Sequence, residues 1–365
     1  MMPYYTGAPH QGKVVNHETK IILFGNGRSG KTTLSLILRK NKFIPLTEKD
    51  RTHGILIEAW NIPKSDLPEK LRQRIAENIQ EHNMASPLCI NTPGSFQIHL
   101  WDFGGQEYYH ATHRLFMSNN ILYLLMWETA TNHQYESEKQ GKFDYPVTYW
   151  QKNINHFSPQ NITLYVQNKV KKHADRTDDR HYKIEWRDKN DQKSIRRFEY
   201  DIEVLKEGIL EHLTNFSYLG ELSPKVYDDI SQGLRKVKRQ YISYADYKKL
   251  CEANDSTPSR IMQDDAQKET LIRFLDETGA VVCFRFRKGI ETATLKEYVF
   301  TDPVWLTKII YKILEKGKTE FDQQHVEEIV LNDGLDAAIW IEIMKQFELI
   351  FEIERKIEKK YVVPQ

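Results

Sequence analysis

The segment Gly25-Asn26-Gly27-Arg28-Ser29-Gly30-Lys31-Thr32 constrains this chain more than any other. It matches GxxxxGK[ST]. A short apolar run, Lys20 to Phe24, precedes it, and Thr32 to Lys40 follows with apolar residues at Leu34, Ile37 and Leu38. Strand, glycine-rich loop and helix, in that order, is the setting the motif requires. The glycines let the backbone wrap so that successive N–H groups point at phosphate oxygens, and the helix amino end adds its positive dipole. Lys31 would neutralise the outer two phosphates and the Thr32 hydroxyl would hold Mg²⁺, with Thr33 continuing the helix.

A second motif, Trp101-Asp102-Phe103-Gly104-Gly105-Gln106-Glu107, ends another apolar strand. Asp102 would then stand at the carboxyl edge of the sheet and accept a metal-bound water. Gly105 has no Cβ to keep its N–H from a γ-phosphate, and Gln106 can orient an attacking water. Alone, such a run could be a tight turn; with the loop upstream, the paired reading gains. Between them, Thr52-His53-Gly54-Ile55 enters a strand. Thr52 there could ligate Mg²⁺ and release it after hydrolysis, or be an ordinary strand-entry residue. Asn168-Lys169 follows ITLYVQ, where a guanine-reading NKxD would sit, but the fourth position is Lys171, which offers only donors where an aspartate accepts two bonds. Asp175 or Asp178 could substitute, although the spacing does not show it.

Further strand-like runs at Ile55–Ile62, Phe96–Trp101, Ile121–Met126 and Ile162–Val166 alternate with helical patterns at Glu107–Met117 and Tyr145–Phe157. That alternation predicts an α/β domain with a parallel sheet covered on both faces. Pro63–Ser95 is charged and helix-prone, Lys171–Arg197 is strongly polar, and both read as insertions at the sheet rim; the helix Asp201–Leu213 closes the domain. From Val226 the pattern changes. A long helical stretch to Ala253, a helix at Ala266–Glu277 capped by Gly279, and a hairpin at Val281–Arg287 with Glu297–Thr301 are followed by a second round of helices and strands. Two helix-helix-hairpin units predict winged-helix-like folding. The expected division is a flexible leader at 1–17, a nucleotide domain at 18–215, a linker at 216–225 and a helical region at 226–365.

Charge excludes little and suggests less. Lys and Arg total 52 against 51 Asp and Glu, and residues 225–365 carry 23 Lys and Arg against 25 Asp and Glu. A nucleic-acid reader needs a basic face; the patch Arg235-Lys236-Lys238-Arg239 reads instead as a solvated helix face. The longest apolar run, Ile121–Trp127, has seven residues, where a membrane span needs roughly 20. Three isolated cysteines point to a reduced, cytoplasmic setting.

The runs GNGRSGKTT, THGI and WDFGGQEYYHATHRLFMSNNILYLLMW resemble the Roc GTPase domain of Roco proteins, and ISYADYKKLC and VFTDPVWLTKII resemble the COR domain that follows it. The resemblance covers roughly residues 18 to 365. It implies a small-G-protein-like fold followed by a winged-helix-like COR region, with GTP or GDP and Mg²⁺ as ligands. The loop residues 25–33, Gly105, Asn168 and Lys169 would bind nucleotide, and Thr32, Thr52 and Asp102 would hold the metal. Lys31, Gln106 and Thr52 would serve hydrolysis. The function implied is a guanine-nucleotide switch with low intrinsic GTPase turnover, coupled to COR. The other reading is a non-hydrolysing nucleotide-binding scaffold with relaxed base specificity, which Lys171 favours. In the family the second half of COR carries the dimer contact. The end at YVVPQ looks like the end of the first half, so protein partners would come through COR and a homodimer through sequence beyond it.

Overall fold

The computed structural model describes residues 12–47, 50, 52, 54–85, 90–104, 111–132, 135–137, 142–171, 178–256, 260–287, 292–316, 320–354 and 359–363. In chain order the first part holds β1 (Lys13–Val15), β2 (Glu18–Phe24), α1 (Lys31–Lys40), β3 (Ile55–Pro63), α2 (Glu69–Ala85), β4 (Ile90–Asn91), β5 (Ser95–Phe103) and β6 (Leu122–Trp127). The short hairpin β7 (Tyr135–Ser137) and β8 (Lys142–Asp144) leads to α3 (Val147–Phe157), β9 (Ile162–Val170), β10 (His181–Glu185), α4 (Gln192–Leu213) and β11 (Leu222–Pro224).

Six strands form one sheet in the order β10-β9-β6-β2-β5-β3. All neighbours are parallel except the edge strand β3, which runs antiparallel to β5. The expected parallel sheet thus carries one antiparallel edge strand, for a local reason. The chain after α1 returns to the carboxyl edge before it enters β3, so Ile55 pairs with Phe103 and Leu56 with Asp102.

Alternate residues of a strand face opposite sides of a sheet, and both sides here are buried. Ile21 and Leu23 of β2 face a core shared with Leu34, Ile37 and Leu38 of α1, Leu71 and Ile75 of α2, and Leu205 and Ile209 of α4. Ile22 and Phe24 face the opposite core, with Trp150 and Ile154 of α3. That second core does not stop at the domain edge: it continues into Phe284, Phe300, Leu306 and Ile310 of the carboxyl-terminal region.

Three segments expected to lie outside the core architecture are ordered parts of it. Within the expected leader, β1 pairs with β11 and β4 in a small second sheet, which also draws the end of the expected linker into a strand. The supposed insertion at 63–95 contains α2, whose Arg74 donates to the carbonyls of Thr214 (2.6 Å), Phe216 (3.0 Å) and Leu219 (3.1 Å) and so fastens the linker. The segment 171–197 supplies β10, and α4 starts at Gln192, capped by Asp191, well before the predicted Asp201. The predicted helix Glu107–Met117 is a 3-10 turn over Ala111–Phe116, with residues 105–110 outside the described set.

The carboxyl-terminal region repeats one topology twice. Its first unit is α5 (Lys225–Arg235), β12 (Tyr241–Ser243), α6 (Tyr244–Asn254), α7 (Asp265–Thr278), β13 (Val282–Cys283) and β14 (Tyr298–Phe300). Its second is α8 (Pro303–Lys316), β15 (Glu320–Phe321), α9 (Gln323–Val330), α10 (Ala337–Gln346), β16 (Phe351–Glu354) and β17 (Lys359–Val362). The antiparallel sheets run β12-β14-β13 and β15-β17-β16, the same order in both. Each is a winged helix. The predicted continuous helix from 226 to 253 is instead two helices separated by β12, which pairs Ile242 with Val299. Gly279 caps α7 in the left-handed conformation at φ 82°, as its position predicts. Among the described residues no helix is long and apolar enough to cross a membrane.

Candidate functional site

The loop between β2 and α1 is shaped by two glycines in conformations that side-chain-bearing residues rarely adopt. Gly25 has φ +130°, and a Cβ there would lie 1.9 Å from the Met126 carbonyl oxygen. Gly30 has φ +101°, and its Cβ would lie 2.3 Å from Nδ2 of Asn168. The loop thus passes tightly over the ends of β6 and β9. Asn26 and Ser29 are buried, Gly27 is partly open and Arg28 is exposed.

Side chains from elsewhere hold the loop in place. Asn26 donates to the Tyr145 carbonyl (2.8 Å), while its Oδ1 accepts from the Tyr145 amide (3.0 Å) and Trp150 Nε1 (3.2 Å). Asn168 donates to the Ser29 carbonyl (2.9 Å), and Lys169 donates to the Arg28 carbonyl (2.8 Å) while pairing with Glu128 (2.8 Å). Sequence reasoning placed Asn26, Asn168 and Lys169 near a ligand but missed these ties, for which no local pattern exists.

Lys31, on the first turn of α1, folds back so that Nζ donates to the carbonyls of Gly25 (2.7 Å) and Asn26 (2.9 Å). Burial pushes its ammonium down to about 8, although Asp102 pulls the other way. Around it three oxygen-bearing side chains converge. The Thr52 hydroxyl donates to Oδ2 of Asp102 (2.9 Å) and lies 2.9 Å from the Thr32 hydroxyl. Because the one Thr52 proton goes to the carboxylate, Thr32 is the donor to Thr52. Asp102 is fully buried, its carboxyl is raised above the usual range by burial, and its Oδ1 has no hydrogen-bond partner. Thr33 follows on α1, partly buried.

A buried carboxylate oxygen without a donor, beside two hydroxyls, suits a hard cation that takes oxygen ligands. Among the described residues no group of three His, Cys, Asp or Glu side chains could hold a metal. The remaining ligands would have to be phosphate or water, the usual arrangement for Mg²⁺. Of the other expected site residues, Gly105 and Gln106 lie outside the described residues, as does Asp175. Asp178 is occupied in its own turn, where it accepts from the amides of Arg180 (2.8 Å) and His181 (2.9 Å). Trp150 is core, buried against the loop through Asn26.

Family models match two consecutive stretches. "Ras of Complex, Roc, domain of DAPkinase" covers residues 68–171, and "C-terminal of Roc, COR-A domain" covers residues 224–365. The chain belongs to the Roco family. Similar curated proteins include a Roc-COR-CHAT protease from an unknown prokaryotic organism, 25% identical over 95% of this chain and 31% of that protein. Another Roc-COR-CHAT protease, from Runella zeae, is 26% identical over 86% of this chain and 32% of its own length. Leucine-rich repeat serine/threonine-protein kinase 1 of Mus musculus is 20% identical over 80% of this chain and 15% of its own length. The chain thus spans about a third or less of these relatives. A structure of Methanosarcina barkeri Roco2 RocCORdC bound to GDP has the same fold, with a TM-score of 0.69 over 99% of both chains at 22% identity.

Roc and COR meet across the second face of the sheet. Lys20 of β2, buried under the Trp101 ring at 5.0 Å, donates to the Asp276 carbonyl of α7 (3.2 Å). Arg287 pairs with the Asp276 carboxylate (3.0 Å) and donates to the Leu115 carbonyl of Roc. Arg114 reaches Glu348 (3.1 Å) and stacks over Phe157 at 5.2 Å. These residues belong to the interface rather than to the phosphate loop.

Proposed function

We propose that this chain is a guanine-nucleotide switch that binds GTP and GDP with Mg²⁺, hydrolyses GTP slowly and passes its nucleotide state to COR. The observation that carries the reading is the convergence of Thr32, Thr52 and Asp102 beside Lys31. The loop amides of 26–33 would wrap the phosphates, and Lys31 would leave the Gly25 and Asn26 carbonyls for the outer phosphate oxygens, which satisfy its charge better. Mg²⁺ would neutralise charge on the β- and γ-phosphates, held by the Thr32 and Thr52 hydroxyls and, through water, by Asp102. Gly105 would offer its N–H to the γ-phosphate and Gln106 would orient water for in-line attack.

Slow turnover is supported by the placement of three described arginines. Arg28 is exposed, Arg39 is paired with Glu58 at 2.7 Å, and Arg114 is engaged with COR. Arg39 and Arg114 thus have their charges engaged elsewhere, and a finger that stabilises a transferring phosphoryl group is worth about 10³–10⁵ in rate. Guanine reading would fall to Asn168 and Lys169.

A second reading, a nucleotide-binding scaffold that does not hydrolyse and tolerates other bases, is favoured by Lys171 at the fourth position of the base motif. Extracting nucleotide from the purified protein and titrating it calorimetrically with GDP and ADP separates the two. Guanine retention, lost in Lys31→Ala, supports the switch. Equal affinity of wild type and Lys31→Ala overturns the site, and equal GDP and ADP affinity favours the scaffold.

A further inference from the structure

A cleft of about 590 Å³ opens between the two winged-helix units of COR, within the size range of sites that hold a ligand. One wall is β12, and the other is the turn at 332–334 between α9 and α10. Its lining is aromatic in the middle. The half-buried Tyr241 ring stacks on Trp305, with centroids 6.0 Å apart, and meets Tyr298 at 5.8 Å. The Tyr241 hydroxyl donates to the Gly334 carbonyl and so ties the two walls together.

β12 is the outer strand of its sheet, with β14 on one side only. The Thr301 amide donates to the Gln240 carbonyl at 2.9 Å, one position outside the ladder that pairs Tyr241 with Phe300, Ile242 with Val299 and Ser243 with Tyr298. Bonded and non-bonded pairs alternate along antiparallel strands. Gln240 and Thr301 are a bonded pair, so Ile242 and Val299 are the next. Tyr241 and Ser243 therefore turn their amides, and Tyr241 its carbonyl, away from β14 toward the edge that lines the cleft.

Backbone groups two residues apart, roughly 7 Å along the strand, are matched by one kind of molecule, a second extended chain laid beside the first. Charge sorts the ends of such a chain. Exposed Arg239 precedes β12, and exposed Asp246 follows it on the first turn of α6. Asp246 lies 3.6 Å from Lys249, a surface pair of the kind that costs little to break. On the far wall Asp333 is held by Lys312 at 2.8 Å. A nucleic acid would need a basic cleft, and this one sets Arg239 against Asp246 and Asp333.

We infer that the cleft docks an extended peptide segment that adds to the free edge of β12. An apolar or aromatic residue of that segment rests on Tyr241 and Trp305, an acidic residue lies toward Arg239 and a basic one toward Asp246. Backbone bonds supply affinity, and the three side-chain positions supply selectivity. The inference is independent of the nucleotide reading.

The probe is a phage-displayed library of random heptapeptides panned on the whole chain, from which the consensus peptide is synthesised. The consensus should place an apolar residue between an acidic and a basic one. On binding, residue-resolved amide exchange should slow at least tenfold at Tyr241 and Ser243, while Ile242, already bonded within the sheet, changes little. Arg239→Glu alters an exposed side chain and should leave thermal melting unchanged. It should weaken the consensus peptide about fivefold in calorimetry, the upper range of an exposed ion pair, and a peptide with lysine in place of the acidic residue should recover the loss. A library that enriches nothing over panning without the protein would overturn the inference. So would peptides that leave the Tyr241 and Ser243 amides unprotected, or an acidic preference that survives Arg239→Glu. Tighter binding of a DNA duplex that slows the same amides would overturn it too.

Discussion

Replacing Asp102 by asparagine should separate the site's role in folding from its role in binding. In the folded chain the carboxylate is fully buried, accepts one 2.9 Å bond from Thr52 through Oδ2, and has no partner at Oδ1. Asparagine keeps an acceptor for Thr52. The exchange turns a charge-assisted bond into a neutral one, a loss of about 1 kcal/mol. It also relieves the burial that raises the Asp102 carboxyl, a gain of similar size. Stability without nucleotide should therefore move by no more than about 1–2 kcal/mol in either direction. Binding should respond quite differently. A group that orients a metal's bound water is worth about 10–100-fold in affinity, or about 1.4–2.8 kcal/mol. Calorimetric titration with GDP should show that loss in Mg²⁺ and almost none in EDTA, with thermal melting run on the same samples. Equal losses in Mg²⁺ and EDTA, or a melting point lowered by tens of degrees, would refute the reasoning and leave Asp102 an ordinary core residue.

Gln106→Leu should leave GTP affinity within about twofold and slow single-turnover phosphate release by 100-fold or more, the scale of lost water positioning; unchanged release would remove Gln106 from the chemistry. Lys31 makes a pH prediction with two signs. Its ammonium is lowered to about 8 from 10.5, so between those values the unfolded chain binds more protons and the stability of the nucleotide-free protein rises with pH, a trend Lys20 shares. Phosphate binding needs the protonated form, so GDP affinity should fall as pH climbs through 8, with proton uptake at pH 9 visible in buffers of unequal ionisation heat. Gly25→Ala places a methyl 1.9 Å from the Met126 carbonyl at φ +130° and should cost about 3 kcal/mol or more in denaturant unfolding; a wild-type midpoint would contradict the loop geometry.

The phosphate loop, the strands around it and the second strand-ending motif were legible from residue order because each is local. A glycine-rich turn, a lysine and a hydroxyl are adjacent in the chain, and burial on both faces writes continuous apolar runs into β2 and β6 and an alternation into the start of β5. Even the repeated carboxyl-terminal unit could be read from its helices and hairpins, although β12 was hidden inside a helical composition. Its three residues are held by pairing with Val299 and its neighbours rather than by their own propensity. The polar stretch 171–197 misled for the same reason. Lys183 and Asp191 look like loop residues, yet β10 forms by pairing with the edge of β9 and Asp191 caps α4; α2 could be read as helical from its composition, but not that its Arg74 fastens the linker carbonyls.

What the linear order of residues determined was the chemistry at the phosphate loop: which groups could meet a phosphate or a hard cation, since those needs are met within a few adjacent positions. Only the tertiary structure decided that Thr52 reaches Asp102 across 50 residues, that Asn26 and Asn168 tie the loop to distant elements, and that Tyr311 of COR packs against Gly54 and bonds Thr112. Such contacts depend on the packing of whole helices against a sheet, where the position of one side chain follows from the volume of many others.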